Sequence, residues 1–155
     1  MKKWLMIGAA ILVVAVAGKK PSAGTDIGML QPVQIVLVKQ VGTDVVVQTD
    51  TKNQGSGSDF MEAVENMKAT SSGEIFLETA EHLLIDPECM NILQDAAKLL
   101  RPSCSVCLVD GEPDLETLGD YLKLHVPSRT LMEYMAGESV LQTLITQQGR
   151  TMLVS

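Results

Sequence analysis

The rhythm of apolar and polar positions changes several times along the chain. Trp4 to Gly18 is a fifteen-residue run without a charged or strongly polar side chain, bracketed by Lys2-Lys3 and Lys19-Lys20. A positively charged start followed by such a run is the pattern of an export signal. Residues 1–20 are therefore expected to act either as a signal peptide, cleaved near Ala17 after the small-x-small sequence Ala15-Val16-Ala17, or as an uncleaved signal-anchor. Fifteen residues fall short of the ~20 that cross hydrocarbon comfortably, but lysines at both ends extend the reach by snorkelling. Residues 21–31 turn to Pro, Ser, Gly, Thr and Asp without periodicity and read as a linker, which places a single extracytoplasmic domain at 32–155.

Within that domain the pattern alternates between strand and helix. Val33 to Val38 and Val45 to Thr49 are rich in β-branched residues and flank Gly42-Thr43-Asp44, so they predict an antiparallel hairpin. Thr51 to Ser58 is polar and Gly/Ser-rich, a flexible connector by composition. Asp59 with Glu62 three residues on has the form of a capping box, and Phe60, Ala63, Val64 and Met67 follow at helical spacing until Gly73. Glu74 to Leu77 is a short apolar run, and His82 to Ile85 reads as a buried strand. Asp86-Pro87 opens a second helix with Leu93, Ala96, Ala97 and Leu100 on its inner face, ended by Pro102. Ser103 to Val109 reads as a strand, and Pro113-Asp114 starts a helix carrying Leu115, Leu118 and Leu122, with Val126 next in the stripe. Thr130 to about Ile145 reads as a last helix with Gly137 as its weak point, and Thr151 to Val154 as a final strand. The sum is an α/β (α+β) domain, a mixed sheet with helices packed on it.

Charge narrows the partners. The chain carries 12 basic and 19 acidic residues, and four of the lysines surround the leader, so the remainder has 8 basic against 19 acidic, a balance of −11. Nucleic acid is excluded as a partner, since phosphate contacts need a basic stripe.

Candidate chemistry is sparse. Cys104-Ser-Val-Cys107 has the spacing of a thiol-redox pair, but such pairs place the first thiol at a helix N-terminus. Here both lie in an expected strand, where residues three apart face opposite ways. Buried structural cysteines are the favoured reading, and outside the cytoplasm an odd count of three lets Cys89 pair with one of them and leave one free. His82 lies near Glu78 and Glu81, a cluster with the groups for acid–base work but better read as a satisfied strand histidine beside solvated glutamates. His125 has no metal-ligand spacing around it. Gly55-Ser56-Gly57-Ser58 lacks the Lys-Ser/Thr pair of a phosphate loop. Met61, Met67, Met90, Met132, Met135 and Met152 fall mostly on helix faces and read as core packing. No catalytic residue, cofactor site or metal site is expected.

The order of elements resembles the N-terminal domain of the Ger(x)C family, the C-type subunits of bacterial spore germinant receptors, from about Gln31 to Gly137. The likeness rests on the leading hairpin, on Asp59-Phe60-Met61-Glu62-Ala63-Val64-Glu65-Asn66-Met67, where the family has a helix of the type Leu-Glu-Ala-aliphatic-x-Asn-Leu, and on Glu74 to Ile85, similar to its aromatic-His-aliphatic segment with the histidine displaced. The next helix, strand and Leu-bearing helix follow in the same order. On this resemblance the chain looks like a shortened relative, and it has Ala17-Gly18-Lys19-Lys20 where the family has a lipobox cysteine. The resemblance implies a non-enzymatic, membrane-associated protein of spore germination, working by contact with integral membrane receptor subunits. Two other readings stand beside it: a secreted or anchored thiol-redox protein using Cys104 and Cys107, and a small-ligand binding module.

Overall fold

Gly42 and Thr43 form the two-residue turn of the first hairpin, between strands β2 (Ile35–Val41) and β3 (Asp44–Thr49), with Gly42 at φ +62. A positive φ at the first central position suits the right-handed twist of the paired strands. The computed structural model describes residues 30–138 and 140–155. The expected leader and residues 21–29 of the expected linker lie outside the described residues, while the linker's last two residues, Leu30 and Gln31, belong to strand β1 (Leu30–Pro32).

The Gly/Ser stretch is not a connector. Gln54–Gly57 is an edge strand, β4, paired antiparallel with β3. Glycine is depleted in strands, but helix α1 (Phe60–Thr70) passes so close over this one that a Cβ on Gly55 would meet the Ala63 carbonyl oxygen and the Met67 amide. The close approach selects glycine against strand propensity. Asp59 caps α1 as expected, its Oδ1 accepting from the Glu62 N–H at 2.9 Å. The Glu62 carboxylate reaches back one residue beyond the cap, to the Ser58 N–H at 2.7 Å and Oγ at 2.6 Å.

The chain continues through β5 (Glu74–Phe76), paired parallel with β1, then a 3-10 turn, Leu77–Thr79, to β6 (His82–Ile85). The expected second helix divides into a 3-10 segment, Pro87–Ile92, capped by Asp86, and α2 (Leu93–Leu99). Strand β7 (Ser105–Asp110) starts two residues later than expected, leaving Ser103 and Cys104 before it, and helix α3 (Leu115–Leu124), capped by Asp114, follows as read. The expected last helix is shorter: α4 covers only Leu131–Met135, with a full Thr130–Glu133 capping box. Gly137, at φ +107, ends it by donating its N–H to the Tyr134 carbonyl. Residues Thr143–Gln147 are strand β8, which turns through Gln148-Gly149 into β9 (Arg150–Val154). The β-branched residues of Thr143-Leu144-Ile145-Thr146 suit a strand, and both turn residues have positive φ.

The main sheet has seven strands in the order β4-β3-β2-β6-β7-β8-β9, mixed because β2, β6, β7 and β8 run parallel while β3, β4 and β9 run antiparallel to their neighbours. Its two faces are buried unequally. Val36, Val38, Leu83, Ile85 and Val106 point to the face covered by α1, α2 and α4, against Phe60, Met67, Leu93 and Leu131. Ile35, Leu37, Leu84, Cys107, Val109 and Leu144 point to the other, covered by α3 through Leu118 and Leu122. Strands sandwiched this way read as continuous apolar runs, as Leu83 to Ile85 does. Of the residues expected inward, Ala97 and Leu115 are half-buried and Val126 exposed.

Candidate functional site

Three regions of the fold carry polar or apolar groups that could act on another molecule. The first is the buried pair at the start of β6 and β7. The parallel register sets His82 beside Ser105, and their side chains meet at 2.6 Å between Nδ1 and Oγ. Ser105 Oγ also lies 3.3 Å from the Glu81 carbonyl oxygen. Burial lowers the pKa of His82, with the Glu81 charge opposing and Arg101 adding to the shift, so the ring is held neutral. The expected cluster does not assemble: Glu81 is exposed and spends its carboxylate on Arg101 at 3.8 Å, and Glu78 is exposed. A neutral histidine satisfied by a buried serine is a structural pair. Ser105 went unmarked because pairing across strands depends on register, which no local pattern in the sequence encodes.

The cysteines are equally enclosed. Cys107, within β7, faces the α3 side, and Cys104, one residue before the strand, faces the α1/α2/α4 side. Burial pushes both thiols up to about 12, and Cys89 to about 11. Thiol exchange needs a thiolate with access to solvent, and neither is provided here. His125, at the C-cap of α3, is exposed and stacks on Tyr121 with ring centroids 4.4 Å apart. Among the described residues no group of three His, Cys, Asp or Glu side chains is placed to hold a metal ion.

The second region is a cleft of about 590 Å³ at the carboxyl ends of β2, β6 and β7, where open α/β sheets commonly bind ligands. Lys39, Asp86, Glu88, Asp110 and Glu112 contribute its charges. Lys39, only 13% exposed at its side chain, holds Glu112 at 2.6 Å and donates to the Gly111 carbonyl at 3.3 Å. Asp86 is occupied by its helix cap, accepting from the Glu88 N–H. The cleft is acidic, and of its charged groups Lys39, Glu112 and Asp86 already have partners.

The third region is apolar. Ala97, Pro102, Leu131, Met132 and Met135 line a groove of about 320 Å³ between α2 and α4. Met132 and Met135 were expected in the core, yet they are 61% and 45% exposed. Met152 on β9 is exposed as well, at 58%, whereas Met67 is buried and Met61 and Met90 are half-buried. Leu131 is the one residue that the five-residue α4 buries; Met132, one position on, turns away from it, while Met135, one turn on from Leu131, lines the open groove and is part-exposed.

No helix among the described residues is long and apolar enough to cross a membrane. No protein-family model, no curated protein and no solved structure matches the chain.

Proposed function

We propose that this chain is a non-enzymatic interaction domain on the extracytoplasmic side of a membrane, of the spore germinant-receptor C-type kind that its sequence resembles, contacting integral membrane subunits through its helical surface. The observation that carries an interaction role is the groove between α2 and α4. A flexible, polarisable pair of exposed methionines, Met132 and Met135, rims an apolar depression that Ala97, Pro102 and Leu131 floor. Methionine-rich surfaces of this kind adapt to the side chains of a partner. The outer edge of the first hairpin is not available as a contact surface, because β4 covers the outer edge of β3.

The test is affinity purification of the tagged full chain from membranes of sporulating cells, with mass spectrometry of the partners and of the protein's own N-terminus. Recovery of multi-pass receptor subunits with the native chain, and their loss with the double variant M132E/M135E, is the expected result. Normal germination in a strain lacking the chain, with every nutrient tried, would remove the receptor reading. The N-terminal peptide distinguishes a retained anchor from cleavage near Ala17.

A second reading, a small-ligand binding module, is favoured by the position of the cleft around Lys39 at the carboxyl ends of the parallel strands. Its expected signature is a ligand-dependent rise in melting temperature that K39M removes.

A further inference from the structure

Two strands form the edges of the seven-stranded sheet, and they are protected very differently. The β4 edge is four residues long and closed by α1, whose Asn66 side chain donates to the Ser56 carbonyl at 2.8 Å. The β9 edge has five residues, Arg150-Thr151-Met152-Leu153-Val154, without lysine, proline or bulge. Natural edges are normally blunted by such devices, because unpaired N–H and C=O groups recruit another strand.

The register of the last hairpin fixes which groups are free. Gln147 and Arg150 flank a two-residue turn, so they form a hydrogen-bonded pair, and the pairing alternates from there. Met152 therefore turns its backbone inward to Ile145, while Thr151 and Leu153 turn theirs outward. The Leu153 N–H confirms the direction, since it donates to the Tyr121 hydroxyl at 2.9 Å from beyond the ladder. The outward donors and acceptors are thus symmetric about Met152.

We infer that β9 is a homodimerisation edge: two copies pair their β9 strands antiparallel about a two-fold axis through Met152, joining two sheets into one of fourteen strands. In this register Thr151 of each copy exchanges both backbone hydrogen bonds with Leu153 of the other, and the two Met152 side chains meet on the axis as a non-hydrogen-bonded pair. Charge selects a second copy for this edge. From Ser139 to Ser155 the sequence has no acidic residue and one cation, Arg150, in a chain whose remainder beyond the leader is strongly acidic. Elsewhere two copies repel; here they approach with the least opposition. The edge contact is small, which makes the dimer weak and exchangeable. Tyr121 regulates it, because its hydroxyl occupies one of the donors that the partner needs.

Sedimentation velocity of the full chain in mild detergent, over a hundredfold range of concentration, reads the association. The native chain is expected to shift from monomer to dimer, and M152E to remain monomeric with an unchanged circular dichroism spectrum. Y121F releases the Leu153 donor and is expected to tighten the dimer by about fivefold or more, the equivalent of a hydrogen bond per copy. M152C is expected to cross-link across the axis under mild oxidation, because non-hydrogen-bonded antiparallel pairs bring Cα atoms to about 4.5 Å. A native chain that stays monomeric throughout, or association that M152E leaves untouched, overturns the inference.

Discussion

Gly55→Ala sets two physical rules against each other. By intrinsic preference, replacing a strand glycine with alanine stabilises a fold by roughly 0.5–1 kcal/mol, because glycine loses more freedom on folding. The packing argument has the opposite sign. A Cβ at position 55 would enter the space of the Ala63 carbonyl oxygen and the Met67 amide, and would stand 2.6 Å from the Met67 Cβ. The first two obstacles are helix backbone and cannot rotate aside, so α1 must lift off the sheet. That movement loosens Phe60, Ala63, Val64 and Met67, all of which α1 buries in the core. Overpacking against backbone places the cost near the upper end of the usual range, about 3 kcal/mol, and the melting temperature should fall by roughly 10 °C for a domain of this size. Urea denaturation followed by circular dichroism measures it, with exposed Ser56→Ala as the control expected within about 0.5 kcal/mol of the native chain. A Gly55→Ala protein as stable as the native one, or more so, would mean that the approach of α1 to β4 does not determine the glycine.

Three further outcomes follow from the buried polar and thiol groups. Ser105→Ala leaves His82 Nδ1 without its partner and should cost about 1–3 kcal/mol in chemical denaturation, whereas His125→Ala, at an exposed position, should cost far less. Because His82 has a folded pKa below its unfolded 6.5, the unfolded chain takes up the proton first; stability is full above pH 6.5 and declines as pH falls through and below it, and His82→Gln should flatten that part of the curve. For the cysteines the sign reverses with pH, since the unfolded thiols ionise near 9.0 and Cys104 and Cys107 only near about 12. Stability should therefore fall as pH rises above 9, and native thiols should react with a disulfide reagent at pH 8 about a thousandfold more slowly than unfolded ones. Rapid labelling of Cys104 in the folded protein would reopen the redox reading.

What was legible in the sequence was local. The first hairpin announces itself through two β-branched runs around Gly42, and α1 through Asp59 and the spacing of Phe60, Ala63, Val64 and Met67. The signals of β4 and β8 are not local. Gln54–Gly57 has the composition of a loop, and it is a strand because a helix eleven residues long lies directly on it. Thr143–Gln147 carries apolar residues that also fit the tail of a helix starting at Thr130, and only the stop at Gly137 and the Gln148-Gly149 turn separate the two. A Gln-Gly turn is a weak signal beside Asn-Gly, since glutamine seldom adopts a positive φ.

The exposed surfaces were harder to read than the core, and for a single reason: strand order is a tertiary fact. A hairpin at the start of a sequence has a free edge until something covers it, and here the loop-like Gln54–Gly57 does so. Among the described residues the sheet's other edge is β9, some hundred residues later, where Tyr121 from a different layer contacts it. The exposure of Met135 is tertiary in the same way, since helical spacing sets it on the face of buried Leu131 and yet it lines an open groove. Local chemistry identified the residues that could pack or pair. Which of them were left over was decided by the connections among strands and helices, and a function carried by surfaces depends on those remainders.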